Sequence, residues 1–174
     1  MNDDEKVKAV QSIHAHVRDW RGRLLNSAAV NERQIAQIIT WYFCDERRRD
    51  FFFSEIATSY FFSLRAKIDI LSKILKTDYE FFLDEQPDFL KDVNEMKYFR
   101  NLLAHATLDL SDKALSRDPR KGVGFLQFHN GKREVKVVTE EDFNNWNATC
   151  GMVSSFLSTF EQNVRVPELF QSRD

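Results

Sequence analysis

Helical periodicity constrains the fold of this chain more than any other feature. Near the N-terminus, apolar residues recur every three or four positions, at Val7, Val10, Ile13, Val17, Trp20 and Leu24. This spacing places them on one face of a helix that runs from about Glu5 to Leu25. The 174 residues include only 5 Gly and 3 Pro, so few positions interrupt a helix. The pattern therefore predicts a chain dominated by helices.

Four more segments carry the same periodicity, and each begins with a recognisable start signal. Asn31 and Ser54 are residue types that favour the N-cap position, and Pro87 stands where a helix favours proline. Thr139 is followed three residues later by an acidic side chain, as in a capping box. The predicted helices cover about 31–43, 54–75, 87–105 and 139–160.

One segment reads as β-structure instead. Residues 123–129 and 132–138 are rich in strand-forming side chains, and Asn130-Gly131 between them is a strong hairpin signal. The polar stretch 108–121 before them reads as a loop. The sequence thus predicts an all-α fold, an antiparallel bundle of four to five helices with a small inserted β-hairpin at about 123–138. We expect one domain over residues 1–174.

Composition and motifs exclude several classes of function. A formal net charge of -2 argues against a broad basic face that coats duplex nucleic acid. The chain has no GxGxxG, GxxxxGK[ST], GxSxG or HExxH motif, so we expect no cofactor and no metal site. The acidic N-terminus precedes no apolar run, and no apolar cluster is long enough to cross a bilayer. We therefore expect a cytoplasmic protein without membrane attachment.

A basic stretch lies between Lys113 and Lys136. It holds seven positive and two negative side chains in a chain that is acidic overall. One interpretation is a solvated loop followed by a hairpin edge that lysines protect from pairing. The other is a groove for an RNA backbone, since phosphates recruit Lys and Arg in any sequence context. The RNA-binding candidates are Arg117, Arg120, Lys121, Lys132 and Arg133.

The mixed-charge run 45–50 has two interpretations as well. Because the run carries both signs, we favour a solvated helix end or turn. The alternative is a phosphate-facing patch formed by Arg47, Arg48 and Arg49.

The end of the fourth predicted helix carries the strongest candidate site. Asn101 and His105 are four residues apart and therefore project from the same helix face, and Arg100 reaches that face from its flank. An imidazole exchanges protons near neutral pH, and a guanidinium stabilises a phosphate or a developing negative charge. Spacing alone also fits a simpler role, in which His105 caps the helix C-terminus.

Residues 98–106, Tyr-Phe-Arg-Asn-Leu-Leu-Ala-His-Ala, resemble the signature of the HEPN superfamily (higher eukaryotes and prokaryotes nucleotide-binding). A frequent prokaryotic form is Arg-Asn-x-x-Ala-His, which this chain matches at Arg100, Asn101, Ala104 and His105. Upstream, residues 67–71, Lys-Ile-Asp-Ile-Leu, are similar to a Lys-Ile-Asp-Leu-Leu stretch found in such proteins. The family fold is an all-α bundle, which agrees with the periodicity.

The resemblance implies a metal-independent endoribonuclease in which the ribose 2′-OH attacks the adjacent phosphate. His105 would be the general acid or base, Arg100 would bind the scissile phosphate, and Asn101 would position one of them. Family sites form where two motif helices face each other, so the resemblance implies a homodimer that binds RNA. It also implies a possible antitoxin or phage-defence partner. The alternative is a non-catalytic helical dimer that serves as a protein-interaction or nucleotide-binding module.

Overall fold

The computed structural model describes residues 2–129 and 132–165 of the chain. Within these residues it contains seven α-helices and a three-stranded antiparallel sheet. The helices are α1 (Asp3–Phe43), α2 (Glu46–Phe51), α3 (Leu64–Asp78), α4 (Glu80–Glu85), α5 (Phe89–His105), α6 (Asp112–Leu115) and α7 (Glu140–Arg165). The strands are β1 (Thr107–Leu108), β2 (Val123–His129) and β3 (Lys132–Val138). The predicted fold class, mostly helical with a small β insertion, is confirmed.

The first two predicted helices form one continuous helix, α1, of 41 residues. The prediction that Asn31 caps a second helix was wrong. Asn31 is only 1% exposed, and its Nδ2 donates to the Cys150 carbonyl at 2.9 Å and approaches the Met96 sulfur at 3.4 Å. Because neighbouring helices accept from Nδ2, this group does not bond the backbone of its own helix, while Asn31 Oδ1 is buried without a hydrogen-bond partner among the described residues.

The predicted start of the third helix was also wrong. Ser54 lies in a π-helical turn, Phe52–Ala57, and its Oγ donates to the Asp50 carbonyl at 2.9 Å. The N-cap is Ser63, whose Oγ accepts from the Ala66 N–H at 3.3 Å. The apolar periodicity of the predicted helix 54–75 would have placed Ile56 and Tyr60 on its buried face together with later residues. Both are exposed instead, because the helix begins only after Ser63. The remainder of that face is buried as expected, at Leu64, Ile68, Leu71 and Leu75.

The next two predicted segments, the helix from Pro87 and the loop at 108–121, differ in detail from the prediction. Helix α5 begins at Phe89, two residues after Pro87, and the Asp88 carbonyl accepts from the Asp92 N–H at 2.9 Å. The expected loop at 108–121 contains α6 and a 3₁₀ turn, Pro119–Lys121.

The predicted hairpin at 123–138 is confirmed. Strands β2 and β3 pair antiparallel from Val123 opposite Val138 to His129 opposite Lys132. The Asn130–Gly131 turn that motivated the prediction lies outside the described residues. Strand β1, which the sequence did not indicate, pairs with β2 through Thr107 opposite Leu126. Because β1 follows α5 directly, the sheet begins two residues after His105.

The predicted capping box of the last helix is confirmed. The Asp142 N–H donates to Thr139 Oγ1 at 3.1 Å, and the Thr139 N–H donates to Asp142 Oδ2 at 2.9 Å. These reciprocal bonds satisfy backbone donors that the first turn of a helix leaves without partners.

The chain divides into two compact units. The first comprises Met1–Asn26 and Tyr98–Ala148, and the second comprises Ser27–Lys97 and Thr149–Asp174. In the first unit Trp20 and Phe143 stack with ring centroids 5.1 Å apart, and both are buried. In the second, Phe89 and Phe156 stack at 3.7 Å. The expectation of one domain stays a prediction.

Of the helices in residues 2–129 and 132–165, none combines the length and the hydropathy needed to cross a bilayer.

Candidate active site

The end of α5 and the middle of β2 together line an open cavity of about 450 Å³ in the first unit. Helix α5 contributes a stripe of side chains spaced by three or four residues, as helical geometry requires: Tyr98, Asn101, Leu102 and His105. Strand β2 contributes Leu126, Gln127 and Phe128. The structure therefore places two of the three predicted catalytic residues, Asn101 and His105, on one concave surface.

His105 is exposed on this surface, and a different residue caps its helix. Arg21, on α1, donates through Nε to the Leu103 carbonyl at 2.8 Å and through Nη2 to the Ala106 carbonyl at 3.2 Å. These are carbonyls that the last turn of a helix leaves without intrahelical partners. Since Arg21 occupies them, the capping role considered for His105 is filled by a different side chain. The His105 imidazole faces the open cavity.

The third predicted catalytic residue, Arg100, lies on the adjacent side of α5. It is half-buried, and its Nη1 donates to Asn101 Oδ1 at 3.0 Å. This bond directs one edge of the guanidinium toward the side chain that lines the cavity, while the other N–H groups remain available to a ligand. Arg100 and Asn101 are therefore linked by a hydrogen bond, and the His105 imidazole lines the same cavity as the Asn101 amide.

The β2 side of the cavity contains a residue that sequence reasoning did not select. Phe128 is 77% exposed, although Phe125 on the same strand is fully buried. Phe128 and Leu126 are two residues apart, so both side chains point to the same sheet face. Arg133 pairs directly with Phe128 in the register, which places its side chain beside Phe128 on that face. The available sequence signal was an aromatic residue two positions before the Asn-Gly pair of a predicted hairpin.

The predicted RNA-binding residues divide into two groups. Lys132 and Arg133 are exposed at the start of β3, and alternation along the strand directs Lys132 to the face opposite Arg133. Arg117, Arg120 and Lys121 lie between α6 and β2 and do not line the cavity. The structure thus brings Arg133 to the edge of the site but does not gather all five cations there.

Arg120 already has an anionic partner. Its Nη2 lies 3.2 Å from Asp118 Oδ2, and its Nε donates to Oδ1 of the same carboxylate at 3.3 Å. These hydrogen bonds from Arg120 hold the pKa of Asp118 below its usual range. A phosphate at Arg120 would have to compete with that carboxylate.

The run 45–50 does not form a patch of three free arginines. Arg47 and Arg48 are exposed, but the Arg49 guanidinium lies 3.9 Å from the centre of the Trp41 ring. The Arg49 Nε also donates to the Cys44 carbonyl at 3.1 Å. The arrangement agrees with a solvated helix end from which one arginine folds back.

The described residues offer no cluster of metal ligands. In 2–129 and 132–165, no three His, Cys, Asp or Glu side chains cluster closely enough to hold a metal ion. The polar side chains that line the cavity include those of Asn101 and His105.

Comparisons with known proteins add no assignment. No protein-family model, no curated protein and no solved structure matches this chain. A function therefore has to be inferred from the chemistry of the cavity and from the resemblance of its motif.

Proposed function

We propose that this chain is a metal-independent endoribonuclease of the HEPN type. The observation that carries the proposal is the setting of His105, which is exposed on an open cavity and released from helix capping by Arg21. A histidine buried and bonded only to protein groups would have favoured a structural role. The Arg-Asn-x-x-Ala-His pattern at this place supports the same assignment.

The proposed reaction uses the neighbouring ribose as nucleophile. The 2′-OH attacks the adjacent phosphorus, the bond to the 5′-oxygen breaks, and the products are a 2′,3′-cyclic phosphate and a 5′-OH. His105 takes the proton of the nucleophile or gives one to the leaving oxygen. Arg100 stabilises the charge that develops on the phosphoryl oxygens, and Asn101 holds the guanidinium through the 3.0 Å bond.

A single motif supplies one imidazole, whereas the reaction needs both an acid and a base. We propose that a second copy of the chain brings its own motif to the same phosphate, so that the functional form is a homodimer. Its substrate would be cytoplasmic RNA. An antitoxin or defence partner that restrains the activity belongs to the same proposal.

The test is cleavage of single-stranded RNA in the presence of EDTA. Wild-type protein should produce 2′,3′-cyclic phosphate ends, and His105→Ala should lower the rate by at least about 10²-fold. The matched control is His14→Ala, because His14 is another exposed histidine of the first unit, located on α1. Equal cleavage by His105→Ala and wild type would contradict the assignment. A folded dimer that cuts no RNA would favour the non-catalytic module.

A further inference from the structure

The hairpin presents an exposed aromatic side chain to the cavity that holds His105. Elsewhere β2 is anchored in the first unit, since Val123 and Phe125 are buried. At its far end Phe128 remains 77% exposed and lines the cavity. Leaving a phenylalanine in water forgoes the favourable free energy of burying its ring. This surface is therefore suited to cover an apolar or aromatic ligand.

Helix α5 supplies a second aromatic side chain to the cavity. Tyr98 is 42% exposed and lies on the same stripe as Asn101 and His105. Gln127 also lines the cavity, and its side-chain amide offers donors and an acceptor. Aromatic rings and polar groups in one cavity suit a nucleobase, which needs stacking on its face and hydrogen bonds at its edge.

A cation stands next to the aromatic platform. Arg133 is directly opposite Phe128 across the β2–β3 pair, and cross-strand neighbours of this kind have Cβ atoms about 5 Å apart. No ion pair or hydrogen bond of the Arg133 side chain occurs within residues 2–129 and 132–165. Its guanidinium is therefore positioned to bind a backbone phosphate while Phe128 contacts the attached nucleotide's base.

We infer that the hairpin forms a base-binding subsite, in which an unpaired base next to the scissile phosphate stacks on Phe128 and Arg133 binds the flanking phosphate. The inference rests on the proposed ribonuclease function and names its substrate class as single-stranded RNA. A base inside a duplex has both faces covered by its neighbours and cannot stack on Phe128. The subsite thus gives the hairpin a role in selecting unpaired RNA.

The experiment measures binding without cleavage. The probe is a fluorescent single-stranded RNA in which every ribose is 2′-O-methylated, so no 2′-OH is available to attack. Fluorescence anisotropy with the full chain should show that Phe128→Ala weakens binding roughly 10- to 100-fold, the usual effect of losing one base–aromatic stack. Phe128→Trp should bind as wild type does, because an indole stacks equally well.

Phe61→Ala is the matched control. Phe61 is 78% exposed but belongs to the second unit, so its removal should leave the affinity unchanged. A probe with one abasic position at the stacked base should lose affinity for wild type and lose none for Phe128→Ala. A duplex probe should bind wild type and Phe128→Ala equally.

Three results would overturn the subsite: unchanged affinity of Phe128→Ala, an equal loss for Phe61→Ala, or duplex binding by wild type as tight as single-strand binding. These outcomes are separate from the fate of the proposed function. Selective binding without cleavage of unmodified RNA contradicts the ribonuclease and keeps the subsite. Cleavage with unchanged binding by Phe128→Ala keeps the ribonuclease and removes the subsite.

Discussion

The exposed aromatic side chains of two regions of this molecule have different surroundings. In the first unit, Phe128 shares a cavity with His105 and Asn101. In the second unit, residues 51–61, called the aromatic segment below, expose Phe51, Tyr60 and Phe61. The Tyr60 and Phe61 rings contact each other, with centroids 3.8 Å apart. The comparison teaches that exposure of an aromatic ring indicates a ligand site only where reactive or hydrogen-bonding side chains converge on it.

The two regions are also anchored differently. The aromatic segment is held by its own hydroxyls, since Thr58 Oγ1 donates to the Phe53 carbonyl at 3.0 Å. Beside it lies a cavity lined by Phe53 and Thr58 together with Lys67, which is only 3% exposed and bonds Glu32 at 2.7 Å. The first unit depends instead on helix ends, through Arg21 and the Thr139 capping box.

The largest expected effect on stability comes from the charge beside the aromatic segment. Lys67→Met should lower the free energy of unfolding by about 2–3 kcal/mol, because it leaves the Glu32 carboxylate without its partner. The loss stays below that of a fully buried pair since Glu32 retains contact with water. Chemical denaturation measures it, and adding Glu32→Gln should recover part of the loss.

This variant also tests the comparison itself. RNA affinity, measured on protein that remains folded, should not change in Lys67→Met. Weaker RNA binding with an intact circular dichroism spectrum would show that the second unit contributes to the ligand site. It would contradict the proposal that only the region around Phe128 binds RNA.

A smaller effect is expected at the cap of α5. Arg21→Met keeps the aliphatic stem but removes the donors to Leu103 and Ala106, so the unfolding free energy should fall by about 1–2 kcal/mol. The Ala106 amide, which donates to the Leu102 carbonyl, should exchange faster with solvent. Cleavage should decrease because the end of the helix that carries His105 frays.

Arg18→Met is the matched change on the same helix, at an exposed arginine one turn away. It should leave both the stability and the Ala106 exchange rate as in wild type. If Arg21→Met behaved in the same way, the anchoring of the His105 region through this cap would be refuted.

The smallest effect concerns the helix that follows the hairpin. Thr139→Ala should cost about 1 kcal/mol of stability, a usual value for a lost N-cap. Hydrogen bonds from Thr139 lower the pKa of Asp142, so this carboxylate stabilises the fold above its unfolded pKa. That contribution disappears as the pH falls through the lower, folded pKa.

Denaturation at several pH values checks this sign. Asp142→Asn should be less stable than wild type at pH 7, and the difference should shrink as the pH is lowered toward about 3. Glu141→Gln, an exposed neighbour, should show no such trend. A difference that grows on acidification would contradict the assigned role of the capping box.

Local rules predicted the elements whose causes are local. The hairpin bounds follow from two β-prone runs on either side of an Asn-Gly pair, and the start of α7 follows from Thr139 and Asp142, three residues apart. The predicted N-caps at Asn31 and Ser54 were wrong because each side chain can either cap a helix or form hydrogen bonds with other groups. The choice depends on distant partners, such as the Cys150 carbonyl that accepts from Asn31.

The residues of the candidate site also fall into those that local spacing predicts and those that distant segments contribute. Asn101 and His105 are neighbours by helical spacing, so the sequence was sufficient to pair them. Phe128 and Arg21 reach the site from other elements, and Arg21 is 82 residues away from Leu103 along the chain. Sequence patterns carry no register between such segments, which is why both residues were missed.

The cap that Arg21 provides has a consequence for how histidines at helix ends are interpreted. An imidazole has two ring nitrogens, and a bond from one of them to a helix-end carbonyl would fix the tautomer that the other presents to a substrate. Here the Arg21 guanidinium bonds two carbonyls at the end of α5. In other Arg-Asn-x-x-Ala-His helices, the same inspection shows whether the histidine or another cation holds the helix end.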